Sequence, residues 1–212
     1  MMFSNDALLE LEKNVSCRMG SGRFEHTMGV VDSALFIADF IPELDKSELR
    51  AAALLHDVTK ELPKTESLAI INASTDACES DIVCAPMHHS FTAPYVIRRD
   101  FPEYSTDNVL SAVKNHTTGA PDMSLFDEVI FISDYIEAGR SFFECVSLRE
   151  WLYDSLRASR DCEEAKFHLH DAVIKCLDNT IRHIVGKGAY LHERTVSTRN
   201  AFLGRRPKPL DL

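Results

Sequence analysis

The sequence predicts an all-α fold, and three observations carry it. Apolar residues recur at intervals of three and four along most of the chain, no alternating apolar and polar run lies between hairpin turns, and eight glycines and eight prolines are too few for a linker-rich chain. Leu8, Leu11 and Val15 mark a first helix, broken at Gly20 to Gly22. A longer helical face runs through His26, Val30, Ala34, Ile37, Ala38 and Ile41, and Pro42 closes it. Ser47 is the expected N-cap of a short helix through Leu55. Further helices are expected near 64–73, 87–99, 106–115, 123–138, 146–158 and 161–185. The stretch 186–212, with Gly186, Gly188, Gly204, Pro207 and Pro209, reads as an extended tail whose Arg205, Arg206 and Lys208 form a solvated end. The whole chain, 1–212, is expected to be a single domain with its core at about 20–185.

Composition narrows the function. Twenty-three Lys and Arg against 33 acidic residues leave a net charge of -10, so the basic footprint that holds a nucleic-acid duplex by its phosphates is missing. Apolar stretches such as Ala51 to Leu55 are far shorter than a membrane span, and the acidic start does not read as a signal peptide. Cysteines at 17, 78, 84, 145, 162 and 176 contain no C-x-x-C pair, so reduced thiols in a cytoplasmic protein are expected rather than a disulfide framework or a structural zinc site. No nucleic-acid or membrane partner is expected, and a homodimer is left open.

The chemistry lies in the histidines, of which there are nine. His56-Asp57 ends the apolar run Ala51-Ala52-Ala53-Leu54-Leu55, so a buried helix delivers an imidazole and a carboxylate to the interior. Burying both is costly unless each is paired or holds a metal. Such a pair arises by chance at this composition, and the chain has a second, His170-Asp171; its polar neighbours Glu163, Glu164, Lys166 and His168 place that one on a solvated surface. His26 lies on the apolar face of its helix, and Asp134 follows Val129 to Ile132, with Glu137 and Arg140 at three and six residues beyond. Hydrogen bonding inside a packed core would account for each of these residues taken singly. Together, two histidines and two aspartates from three helices form a mixed nitrogen and oxygen set that suits iron, manganese, cobalt or zinc more than magnesium. His88 and His116 add imidazoles; His89, about 100° from His88 on a helix, cannot face the same centre together with it.

These residues resemble the HD-domain metal-dependent phosphohydrolases, and most closely the YqeK-like symmetrical diadenosine tetraphosphate hydrolases of bacteria. The stretches that carry the likeness are Arg23 to Val30 (RFEHTMGV), Leu54 to Pro63 (LLHDVTKELP), His88 to Ala93, His116 to Gly119 (HTTG), Ser133 to Arg140 (SDYIEAGR), and a tail ending Thr198-Arg199-Asn200. Ser133 and Ala138 stand where that branch has alanine and proline, and neither is a ligand. The resemblance implies an all-α HD-domain helical bundle that binds iron, as one ion or two, and cuts diadenosine tetraphosphate into two ADP. It implies metal ligands at His26, His56, Asp57 and Asp134, with His88 and His116 on a second ion or on phosphate. The nucleotide would meet Arg23, the turn from Asp57 to Lys60, His88, His116, Thr117 and Arg140, beside the ligands His26 and Asp134. Asn179 and Arg182, late in the last long helix, would reach base or sugar.

For the reaction, a bound cation would acidify a water that attacks phosphorus in line with the departing ADP. Asp57 is expected to orient or deprotonate that water, and His88 or His116 to donate to the leaving phosphate. Because the protein is acidic overall, a polyphosphate needs local cations, and Lys60, Arg23 and Arg140 supply them. Two other readings stay open: an HD phosphohydrolase of other nucleotides, such as a nucleotide 5′-phosphatase, and a non-catalytic nucleotide-binding HD module.

Overall fold

Ser4 accepts a hydrogen bond from Ala7 N at 3.2 Å and opens α1 (Asn5–Ser16), whose Leu8, Leu11 and Val15 are buried as their spacing requires. In the computed structural model, which describes residues 3–74 and 79–205, α2 (Ser21–Ala38) follows, then α3 (Lys46–Leu55), α4 (Lys64–Ala73), a short α5 (Glu79–Val83), α6 (His88–Asp100), α7 (Asp107–Asn115), α8 (Leu125–Ile136), α9 (Phe143–Ala158), α10 (Cys162–Gly186) and α11 (Glu193–Arg205). Single 3₁₀ turns, Ala85–Met87 and Pro102–Tyr104, lead into α6 and towards α7. No strand occurs among the described residues, and no described helix is long and apolar enough to cross a membrane.

The centre of the molecule is α3. Leu49 and Ala51 to Leu55 are all fully buried, as a helix apolar on every side must be. Its alanines let α1, α2, α7 and α8 pack around it. Around this centre α8 adds Val129, Ile130 and Ile132, each fully buried, and starts in a capping box of Ser124 and Asp127. The longest helix, α10, packs on α8, α9 and α11.

Several boundaries differ from expectation. Asp45, not Ser47, caps α3: its carboxylate accepts from Ser47 N at 2.9 Å and Glu48 N at 3.2 Å, while the Ser47 hydroxyl takes the N–H of Phe3. A carboxylate also suits the positive end of the helix dipole. α2 stops at Ala38, because Phe40 and Ile41 bond back three residues and the chain ahead of Pro42 is barred from the helical region. α9 starts at Phe143, three residues early.

The largest correction concerns the C-terminal stretch. It is not extended throughout: residues 193–205 form α11, which packs on α10 and sinks Phe202 to zero exposure. Glycine and proline content misled because tertiary burial of one aromatic face outweighs local propensity. Arg205 donates to Pro121 O rather than hanging free, while Arg206 and Lys208 lie outside the described residues. The same helix packs on His170, and His170-Asp171 is not solvated surface. His170 stacks on Phe202 at 4.6 Å and 14° and donates to Phe202 O at 3.0 Å, and Asp171 is buried and paired with Lys175.

Candidate active site

Four helix ends and one helix face meet in one cluster. His56 and Asp57 leave the C-terminal end of α3, His116 the C-terminal end of α7, His89 lies in the first turn of α6, Asp134 in the last turn of α8, and His26 one and a half turns into α2. His56 Nε2 lies 3.3 Å from His26 Nε2, and His26 Nε2 lies 3.0 Å from Asp134 Oδ1. Asp57 stands between two halves. Its Oδ2 is 3.6 Å from His56 Nε2 and 3.8 Å from His26 Nε2; its Oδ1 is 3.2 Å from His89 Nε2 and 3.7 Å from His116 Nε2. His89 and His116 in turn meet nitrogen to nitrogen at 3.0 Å.

Main-chain geometry fixes which nitrogen faces inward. His56 Nδ1 is 2.7 Å from Ala53 O and His116 Nδ1 is 2.6 Å from Val113 O. A carbonyl only accepts, so each Nδ1 carries a proton and each ring turns its Nε2 to the centre. Burial pulls His56 down to about 4 and pulls His89 well below the usual histidine range, which keeps both neutral. Burial acts on His26 as well, but the Asp134 and Glu137 carboxylates outweigh it and raise its pKa. Burial alone would raise Asp57 and Asp134. The imidazoles around Asp57, and His26, His56 and Arg140 around Asp134, outweigh it and hold both acids well below the ordinary carboxylate range.

A cationic rim surrounds this interior. Arg23 donates to Asp57 Oδ2 at 2.9 Å and Arg140 to Asp134 Oδ1 at 2.9 Å, while Lys60 Nζ lies 3.9 Å from Asp57 Oδ1 and 3.1 and 3.0 Å from the two ring nitrogens of His89. Their side chains are 32%, 35% and 31% exposed, whereas His56 is fully buried, so cations face the outside and acids and imidazoles the inside. Burial lowers the Lys60 pKa.

The donor set fits a divalent cation. His26, His56 and Asp134 bring ligand atoms within 4.8 Å of one another, and so do His56, Asp57 and His116. Inward Nε2 lone pairs facing each other at hydrogen-bond distance, with two ionised carboxylates between them, are an arrangement that a cation relieves.

Not every expected residue arrives. His88 points the other way, its Nε2 donating to Ile82 O at 2.9 Å, so it stands neither as second-metal ligand nor as proton donor here. His89 takes the inward direction, because successive residues on a helix diverge by about 100° and the 3₁₀ turn before α6 sets the phase. Thr117 donates to Ser90 Oγ on α6 at 3.0 Å, beside the cluster rather than in it. Arg182 donates to Asn179 Oδ1 at 2.9 Å on the exposed surface of α10. Glu137 was visible in the sequence only as part of a row with Asp134 and Arg140; in the fold its Oε1 lies 3.1 Å from His26 Nδ1. The turn after His116 needs Gly119, whose φ is +68° and whose absent Cβ would lie 2.7 Å from Thr198 Cγ2 on α11.

The chain is similar to known proteins. The chain is 29% identical over 181 residues to the symmetrical bis(5′-nucleosyl)-tetraphosphatase of Halalkalibacterium halodurans, covering 85% of this chain and 89% of that one. It is 28% identical over 179 residues to the protein of the same name from Bacillus subtilis, covering 84% and 88%. A crystal structure of a predicted HD superfamily hydrolase involved in NAD metabolism from Clostridium acetobutylicum superposes with a TM-score of 0.77 at 30% identity, over 97% of this chain and all of that one. Residues 23–139, which run from the rim arginine Arg23 past the last acid of the cluster, match the HD domain, and the chain belongs to that family.

Proposed function

We propose that the chain is a metal-dependent hydrolase that cuts diadenosine tetraphosphate at its centre into two ADP. The observation that carries this reading is the layered site: His26, His56, Asp57, His89, His116 and Asp134 converge within a mouth rimmed by Arg23, Lys60 and Arg140. Its support from outside is the name carried by the relatives from Halalkalibacterium and Bacillus.

His26, His56, Asp57 and Asp134 would hold one cation, and His89 and His116, with Asp57 between, a second. When bound, such a cation withdraws charge from phosphate oxygen and makes water acidic enough to serve as nucleophile near neutral pH. Asp57, ionised and central, orients a water towards phosphorus. Arg23 and Arg140 offer planar forks to the outer phosphates, each already held in place by an acid, and Lys60 adds a point charge. ADP leaves as a phosphate with a second pKa of about 6, so neutralising charge on the departing oxygen is worth more than protonating it. The neutral state of His89 agrees with that, since a buried imidazole without a proton is a poor acid.

Protein purified without added metal, then given ferrous, manganous or zinc ions under anaerobic conditions, should turn this substrate into ADP alone by chromatography. ATP with AMP, or free phosphate with nucleoside, rejects the assignment. Lys60→Ala is expected to raise KM about tenfold, as loss of a charge-assisted contact does, with metal content unchanged; an unaltered KM removes Lys60 from the site. His89→Ala should cost about 10²-fold in turnover and His88→Ala less than about twofold, because only the first touches Asp57; the reverse order would restore His88.

A further inference from the structure

His26 differs from its partners in what holds its outer nitrogen. His56 and His116 give Nδ1–H to a carbonyl three residues back, whereas His26 Nδ1 lies 3.1 Å from the carboxylate of Glu137, just past the C-terminal end of α8. Glu137 is only 3% exposed. Its Oε2 accepts Gly139 N–H at 2.5 Å, and Arg140 Nε is 3.7 Å from Oε1. Both oxygens therefore receive a donor.

The main chain is shaped around this carboxylate. α8 ends at Ile136, and Glu137 turns extended, with ψ 155°, which swings its side chain back towards α2. Arg149 of α9 pins the turn by donating to Glu137 O at 2.7 Å and Ile136 O at 3.0 Å. Opposite, one turn after His26, stands Gly29, where a Cβ would lie 2.5 Å from Glu137 Oε2, closer than real Cβ atoms approach anything. A Cβ at Gly139 would be 3.0 Å from the same oxygen.

We propose that Glu137 is a positioning residue. It holds the proton of His26 on Nδ1 and fixes the ring, so that Nε2 turns its lone pair to the cation between His26, His56 and Asp134, and Gly29 is glycine to admit it. This rests on the reading of that cluster as a cation site. A carboxylate is needed because His26 Nδ1–H and Gly139 N–H are both donors; an amide in the same place sets its own NH₂ against one of them. Partners of this kind orient ligand histidines and raise their basicity. The competing role is a brace for the turn through Gly139 and Arg140 alone, which leaves cation affinity untouched.

The test compares the full-length metal-free protein with Glu137→Gln and Gly29→Ala, each titrated with cobalt or zinc ions while melting of the metal-free form is followed in parallel. Both variants should bind the cation about 10–100-fold more weakly, with the metal-free melting midpoint of Glu137→Gln little changed. Parent-like affinity in Glu137→Gln overturns the proposal, as does a drop in melting with no drop in affinity, which is the signature of the brace. Should the variants not fold, nitrogen NMR of the zinc-loaded parent decides: the His26 proton belongs on Nδ1, and a proton on Nε2 overturns the assignment. The hydrolase reading fails separately, if the parent leaves diadenosine tetraphosphate uncut while Glu137→Gln still loses cation affinity.

Discussion

Asp57→Asn is expected to lower turnover by about 10³-fold while far-UV circular dichroism stays that of the parent. Asp57 is the acid that reaches both halves of the site, with one oxygen towards His26 and His56 and the other towards His89 and His116. An amide of the same shape keeps one acceptor and turns an NH₂ towards imidazoles or towards Arg23, which itself donates at 2.9 Å. It removes the negative charge that offsets the cations around it. Cation affinity should fall along with turnover. The backbone is spared because His56 and Asp57 follow a helix whose buried face, Leu49 to Leu55, does not involve the carboxylate. Near-normal turnover in the variant would remove Asp57 from the mechanism.

The metal-free protein should lose about 3 kcal/mol of stability as pH falls from 7 to about 4. His56 is fully buried, and burial takes it from the ordinary value near 6.5 down to about 4. Between those values the unfolded chain binds a proton that the folded chain refuses, so acid favours unfolding. His89 is lowered too and acts in the same direction. His26 opposes them, since its raised pKa contributes stability that is present in acid and lost as pH rises through the folded value. Asp57 and Asp134, held low by their neighbours, keep their contribution across this window and lose it only below it. Urea midpoints at pH 7 and 5 check the sign; a midpoint that rises on acidification would mean that His56 is not neutral in the folded state.

The helices were legible because burial writes its period directly into the sequence. Leu8, Leu11 and Val15 are buried at the spacing that announced them, and the run Ala51 to Leu55 marks the central helix. His26, His56, Asp57, His116 and Asp134 were legible because polar groups at the inner ends of apolar segments must find each other. What escaped depends on geometry that spacing does not encode. Choosing between His88 and His89 required the phase of α6, which a 3₁₀ turn at Ala85–Met87 decides. Glu137 lay in view, but its partner follows from the helix stopping at Ile136 and from the room left at Gly29. α11 escaped because its stability comes from Phe202 entering a groove supplied by other helices, not from its own composition.

The contact between Gly119 and Thr198 joins the bend beyond His116 to a residue near the C-terminal end of the described chain. A nascent polypeptide holds all six inner side chains once Asp134 has emerged, yet the wedge that seats their bend arrives only with Thr198. Removing α11 should therefore loosen the bend that follows His116, although all six inner side chains would still be present.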